Sequence, residues 1–225
     1  MAGEPWNEKR PGFLEADTVA HCGSSLAGDL IWSITDTDIA SQWTEGRAVF
    51  NKGAEGVVAQ TRDVEAHLPF ELLGFDCDNG SEFLNWHLVR YLQERAKPVR
   101  LTRSRPYHKD DNAHVEQKNW MWPRALLGYG RLEDPELVGP INALYQEAWM
   151  PLQNFILPSM KQVDKWREKS RWVRKHDRAR TACERLLARG ALKSKEVRRR
   201  REWRASLDPF ALHAQVEKRL KGILP

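Results

Sequence analysis

The chain has 225 residues, 41% hydrophobic and 30% charged, with 36 Lys and Arg against 31 Asp and Glu for a net charge of +5. That length suits one substantial core plus an appendage. No uninterrupted apolar run approaches 18 residues and residues 1–12 carry no apolar stretch, so neither a membrane nor a secreted protein is expected. Cys22, Cys77 and Cys183 are odd in number, widely spaced and form no Cys-x-x-Cys pair, a pattern of reduced, buried thiols in cytosol rather than of structural zinc.

Taken in chain order, residues 13–22, 29–36 and 42–50 read as three antiparallel strands, the first two joined by the Gly-Ser-Ser-Leu-Ala-Gly turn at 23–28. A helix over 54–66, a strand over 71–77, an amphipathic helix over 82–96 (Phe83, Trp86, Leu88, Val89, Leu92) and a short strand over 98–101 follow. A further helix runs into Trp120-Met121-Trp122-Pro123, where the proline ends or kinks it, and 134–150 forms another. Trp120, Trp122 and Trp149 read as packing groups. Periodicity alone supports an α/β domain.

Past Leu157-Pro158 the composition changes, which divides the chain into a tail (1–12), a core (13–160) and a basic extension (161–225). The extension reads as a basic hairpin over 161–175 and helices over 181–189, 194–206 and 209–222. Residues 161–204 hold 18 Lys and Arg against 6 Asp and Glu, a net of +12, leaving −7 elsewhere. Such a cationic segment beside an acidic core suits a polyanionic partner. Trp166, Trp172 and Trp203 interleave with these cations, a composition compatible with stacking on nucleic acid or with a small hydrophobic cluster. The run Arg198-Arg199-Arg200-Arg201 reads as a charged helix face.

Three acidic blocks carry the chemistry. Asp17 lies in the β-prone segment Gly12–His21. Asp78 follows an apolar strand and opens the turn Asp78-Asn79-Gly80, ahead of Ser81-Glu82-Phe83 and a helix starting near Ser81. Glu116 closes Asn112-Ala113-His114-Val115-Glu116, one turn into a helix that Asp111 or Asn112 can cap. Converging carboxylates repel one another when empty and favour a bound cation. His21, His67, His87 and His108 have no metal-ligand spacing with cysteine and read as structural or surface residues; His114 reads as local hydrogen bonding or DNA contact.

Together these blocks resemble the DDE transposase and retroviral integrase superfamily, with bacterial insertion-sequence transposases the nearest in pattern. The likeness covers roughly residues 12–160, including Leu126-Leu127-Gly128-Tyr129 and Pro151-Leu152-Gln153-Asn154-Phe155. It implies an RNase H-like fold: a mixed five-stranded sheet flanked by helices, followed here by the mainly helical extension. It also implies a catalytic and metal-binding triad of Asp17, Asp78 and Glu116, with Asp76 competing for the second place. Asp78 and Glu116 enclose 37 residues, slightly more than the family commonly shows, and Asp76 would widen the interval.

The implied activity is DNA cleavage and strand transfer with two Mg²⁺ ions, Mn²⁺ substituting, on double-stranded DNA comprising transposon ends and target. A homo-oligomer on DNA, a cytoplasmic, nucleoid-associated location and no membrane contact go with it. Arg103, Arg105, Lys109 and Lys118 flank the acids and suit phosphate steering, and Arg171, Arg174 and Lys175 of the basic segment are candidate DNA contacts. The first strand begins near residue 13, which leaves no room for the helix-turn-helix region that precedes the core in the family. A separately encoded helix-turn-helix module, a truncated and catalytically silent DNA-binding remnant, and an RNase H-like nuclease therefore remain as alternatives.

Overall fold

The structure is a computed structural model that describes residues 8–77, 83, 85–103 and 120–224. Alternating side chains build β1 (Phe13–Ala20), β2 (Ile31–Asp38) and β3 (Thr44–Phe50), with β2 antiparallel to both neighbours. The turn between β1 and β2 contains Gly23 and Gly28 at φ of +57° and +79°, conformations that cost glycine little. Helix α1 (Ala54–His67) then crosses to β4 (Gly74–Cys77), which pairs parallel to β1. Helix α2 (Trp86–Gln93) crosses to β5 (Arg100–Arg103), parallel to β4. The sheet order is β3-β2-β1-β4-β5, and β2 alone runs against the others. This is the RNase H-like arrangement.

Helix α2 begins later than the amphipathic pattern suggests. The Asn85 side chain accepts the Leu88 N–H at 2.9 Å and sets the start at Trp86, because a capping side chain satisfies an N–H that the first turn leaves open. Trp86 is consequently 70% exposed in that first turn, while Leu88 and Leu92 are fully buried.

Each face of the sheet carries its own core. Leu14, Ala16, Ile34, Val49, Phe75 and Cys77 pack beneath α1 and α2 with Val57, Val58, Leu88 and Leu92. On the other face Ile31 and Ala48 join Trp122, Leu144, Tyr145 and Phe155. These come from a π-helical turn at Trp120–Arg124, which contains Pro123, and from α3 (Val138–Leu144), which continues through π-helical turns at Tyr145–Trp149 and Leu152–Ile156. A proline offers no N–H, so the helix there widens. Trp122 and Trp149 pack edge to face at 6.4 Å, as packing groups do.

The extension consists of a two-stranded ribbon, β6 (Gln162–Glu168) and β7 (Arg171–His176), then α4 (Ala182–Ala188), α5 (Ser194–Ser206) and α6 (Pro209–Ile223). Thr181 and Glu184 form a reciprocal capping box, and Asp208 caps α6 ahead of Pro209. Ala182, Cys183, Leu186, Leu212, Val216 and Ile223 belong to the same apolar cluster as Trp122 and Tyr145. The composition change near residue 160 therefore lies within a shared core. Arg200 departs from the charged-face reading of its run: it is 6% exposed, with its guanidinium 5.6 Å from the rings of both Trp43 and Trp203. Trp203 in turn packs on Phe155 at 4.6 Å, which places it in the hydrophobic cluster. Among the described residues no helix is long and apolar enough to cross a membrane.

Candidate active site

Side chains alternate along a strand, so Glu15, Asp17 and Val19 share one face of β1 while Leu14, Ala16 and Thr18 share the other. The register carries this across the sheet. Asp17 stands opposite Thr35 of β2, Glu15 opposite Asp76 of β4, and Asp76 opposite Thr102 of β5. Glu15, Asp17, Asp76, Thr35 and Thr102 thus lie on the face that α3 covers further along β3, where Asn142 bonds both the N–H and the carbonyl of Ala48 at 2.7 and 3.1 Å.

Asp17 is half-buried, and its Oδ1 accepts the N–H of Thr18 at 2.7 Å, which holds the carboxylate close to its own backbone. Asp76, the competitor for the second acid, is 7% exposed and accepts a hydrogen bond from the Thr102 hydroxyl. Glu15 is 2% exposed. Thr35 Oγ1, opposite Asp17, is buried without a hydrogen-bond partner among the described residues. The donors gathered here are all oxygens, the chemistry a hard divalent cation prefers. Among the described residues no three His, Cys, Asp or Glu side chains are grouped to hold a metal. Asp78 and Glu116 lie outside the described residues, as do Arg105, Lys109 and Lys118. Strand β4 ends at Cys77, directly before Asp78, and Cys77 pairs with Ala16, directly before Asp17.

Arg103 is placed differently from its expected steering role. It stands opposite Cys77 on the α2 face and lines a hollow with Trp86, Val89 and Leu101. The alternation of β5 turns it away from the acid face. Arg171, Arg174 and Lys175 are exposed on β7.

Around the acids the sheet is held by buried polar groups. His21, at the end of β1, contacts Ser33 Oγ through Nε2 at 2.8 Å, and Ser33 Oγ reaches the Tyr145 hydroxyl at 2.7 Å. Burial, then the nearby Arg124, lower the His21 pKa to about 4, so the ring is neutral. His21 is the structural residue its spacing suggests. On the opposite face Arg47 Nε donates to Asp63 at 2.6 Å and Arg47 Nη1 to Glu45 at 3.2 Å. Burial pushes Asp36 beside them up to about 7, with Arg47 opposing and Glu45 adding to the shift.

Glu15 and Thr35 were not singled out by sequence motif. The i, i+2 spacing of Glu15 and Asp17 is a signal for the first; nothing in the sequence signals the second, because the β1–β2 register selects it.

The sheet order and the acid-bearing face define an α/β protein of the RNase H-like fold. No family model matches the chain. It is 38% identical over 171 residues to the uncharacterized protein y4rM of Sinorhizobium fredii, across 76% of this chain and 48% of that one, and so spans about half the length of that relative. Among solved structures, it is similar to a chain of the simian T-cell lymphotropic virus intasome in complex with the PP2A regulatory subunit B56 gamma. That match has a TM-score of 0.47 at 16% identity and covers 56% of this chain and 44% of that one. The catalytic core domain of BIV integrase is similar with a TM-score of 0.37 at 16% identity, over 52% of this chain and 66% of that one.

Proposed function

We propose that this chain is the catalytic core of a DDE-type transposase or integrase, a polynucleotidyl transferase that cuts DNA strands and joins their 3′ ends to a target. The observation that carries the reading is the β1–β4 pairing. Asp17 follows directly on Ala16 in β1, and Ala16 pairs with Cys77, the last residue of β4 and the one before Asp78 in sequence, in an RNase H-like sheet. A central parallel strand pair with Asp17 on the first strand and a second strand ending just before Asp78 in sequence is what the motif order Asp17, Asp78, Glu116 requires.

Asp17, Asp78 and Glu116 would hold two Mg²⁺ ions, with Mn²⁺ able to replace them. When bound, the ions neutralise charge on the attacking and leaving oxygens of the phosphodiester. The oxygen-only donor set on the acid face suits such ions. The Thr18 N–H fixes the orientation of the Asp17 carboxylate, which limits the reorganisation needed on loading. The basic extension would hold the DNA backbone while the acids act. Double-stranded DNA is the partner in this reading, and the pairing of two ends calls for a homo-oligomer on it.

The test is incubation of the purified chain with supercoiled plasmid and Mg²⁺ or Mn²⁺, following nicking and joining beside Asp17→Asn, Asp78→Asn and Glu116→Gln. The expected outcome is metal-dependent nicked and joined products that each substitution abolishes while the thermal midpoint and DNA retardation persist. Nicking without joining would move the reading to a nuclease of the same fold. Retarded DNA with no product from any form would overturn the catalytic reading in favour of a DNA-binding remnant.

A further inference from the structure

Buried polar groups in folded proteins are nearly always hydrogen-bonded, and a guanidinium, with five N–H donors and a fixed charge, is costly to bury bare. Arg200 of α5 departs from that pattern. It is 6% exposed, and its Nε has no hydrogen-bond partner among the described residues. The one carboxylate in ion-pair range among them is Glu196, 3.8 Å from Nη2 and so beyond hydrogen-bond distance. Glu45 also acts on Arg200, yet its oxygens are taken: Oε1 accepts the Trp43 indole N–H at 2.9 Å and Oε2 the Arg47 guanidinium at 3.2 Å. The rings of Trp43 and Trp203, each 5.6 Å away, attract the charge but offer its N–H groups no acceptor.

Arg200 lines a hollow of about 760 Å³ between the end of α1, the loop that follows it, and α5. Small-molecule sites run from about 300 to 1,000 Å³. The apolar part of the wall includes Leu68, Phe70, Met150, Leu192 and Trp203. Five cations and two carboxylates also line the hollow, a net of +3 with His67 neutral. A buried donor group without an acceptor, apolar walls and a surplus of positive charge thus meet in one space.

We propose that this hollow binds a small organic acid, with its carboxylate on the Arg200 guanidinium and its apolar body against Phe70, Leu192 and Trp203. The planar fork of an arginine matches a carboxylate with two parallel hydrogen bonds. Apolar walls call for more than a bare anion, and Glu196, which already offsets part of the Arg200 charge, favours a monoanion over a phosphate dianion. Because the walls come from both the core and α5, a seated acid ties the basic extension to the core. None of the acids of the catalytic reading lines the hollow, so the two proposals stand or fall separately.

The experiment is isothermal calorimetry of the purified chain with benzoate, naphthoate and indole carboxylate, each beside its matched carboxamide, and with inorganic phosphate. At least one carboxylate should bind about tenfold or more tightly than its amide, as a hydrogen bond to a charged group allows. The same acid should raise the thermal midpoint of the parent, because it binds the folded state alone. Both effects should vanish in Arg200→Met, which keeps an apolar stem between the two tryptophans. They should also vanish in Ala191→Trp, an exposed position lining the hollow, which keeps the test decisive if Arg200→Met does not fold. Lys195→Gln, an exposed cation of α5 outside the hollow, should bind as the parent does.

No preference for carboxylate over carboxamide across the set, or binding that survives in Ala191→Trp, would overturn the proposal. Inorganic phosphate binding as tightly as the best carboxylate would also overturn it, since the apolar walls would then contribute nothing. Displacement of the acid by a DNA duplex, lost in Arg200→Met, would overturn it in favour of a phosphate of nucleic acid.

Discussion

Gly12 ties the start of β1 to the entry of β4, and Gly12→Ala should loosen that joint. Its φ is +118°, a conformation L side chains rarely adopt. Its carbonyl accepts the N–H groups of Leu73 at 2.7 Å and Gly74 at 3.0 Å, at the entry to β4, and its own N–H donates to Asp38 Oδ1 at 2.8 Å. A Cβ built there would lie 2.4 Å from the Glu71 carbonyl oxygen and 2.9 Å from Leu73 Cγ. The first of these is backbone, so the contact cannot be relieved by turning a side chain. Backbone strain of about 1–3 kcal/mol and an overpacking cost of about 1–3 kcal/mol are offset by about 0.4–1 kcal/mol from the stiffer unfolded chain. The net is a loss of roughly 3 kcal/mol, which for a chain of this size lowers the thermal midpoint by about 6–12 °C. Urea unfolding monitored by tryptophan fluorescence measures it, with calorimetry for the midpoint. A loss below about 1 kcal/mol would refute the reasoning, since it would mean that the β1–β4 junction yields freely. On the proposed catalytic reading, Gly12→Ala should also lower DNA cleavage well below the temperature at which the protein melts, because the junction sets where β4 starts against β1.

Two further predictions concern the buried polar groups. Asp36, pushed up to about 7, holds its proton in the folded state over a range where the unfolded chain has lost it. Its contribution to stability is present in full below about pH 4 and is lost as pH rises through about 7. His21, lowered to about 4, acts in the opposite sense: its contribution is full above about 6.5 and is lost as pH falls through about 4. Asp36→Asn should therefore gain stability relative to the parent between pH 5 and pH 8, by a difference on the order of 3 kcal/mol in urea midpoints; a constant difference across that range would sink the assignment. Tyr145→Phe removes the hydroxyl that bonds Ser33 and should cost about 1–2 kcal/mol, with no change in urea m-value.

The acidic blocks and the strand periods were legible because they are local. Alternating apolar residues place β1, β2 and β3 within a few positions of where they fold, and Thr181-x-x-Glu184 and Asp208-Pro209 announce the starts of α4 and α6 through caps that involve neighbours in sequence. Asp17 could be singled out because a motif order accompanies it. Trp86 could not be assigned its exposure, since Asn85 moves the start of α2 and thereby changes which residues face inward.

The amino-acid sequence by itself determined an α/β chain with one carboxylate on its first strand, a second after its fourth, and a cationic end. Only the tertiary structure decided which groups share a face. Register, a property of paired strands, set Thr35 across from Asp17 and Glu15 beside Asp76, and turned Arg103 toward α2. Packing decided the fate of Arg200, which its run of four arginines marks for solvent and which Trp43 and Trp203 enclose. The physical reason is the same in each case: periodicity states how side chains alternate along one element, whereas their neighbours are chosen by elements distant in sequence.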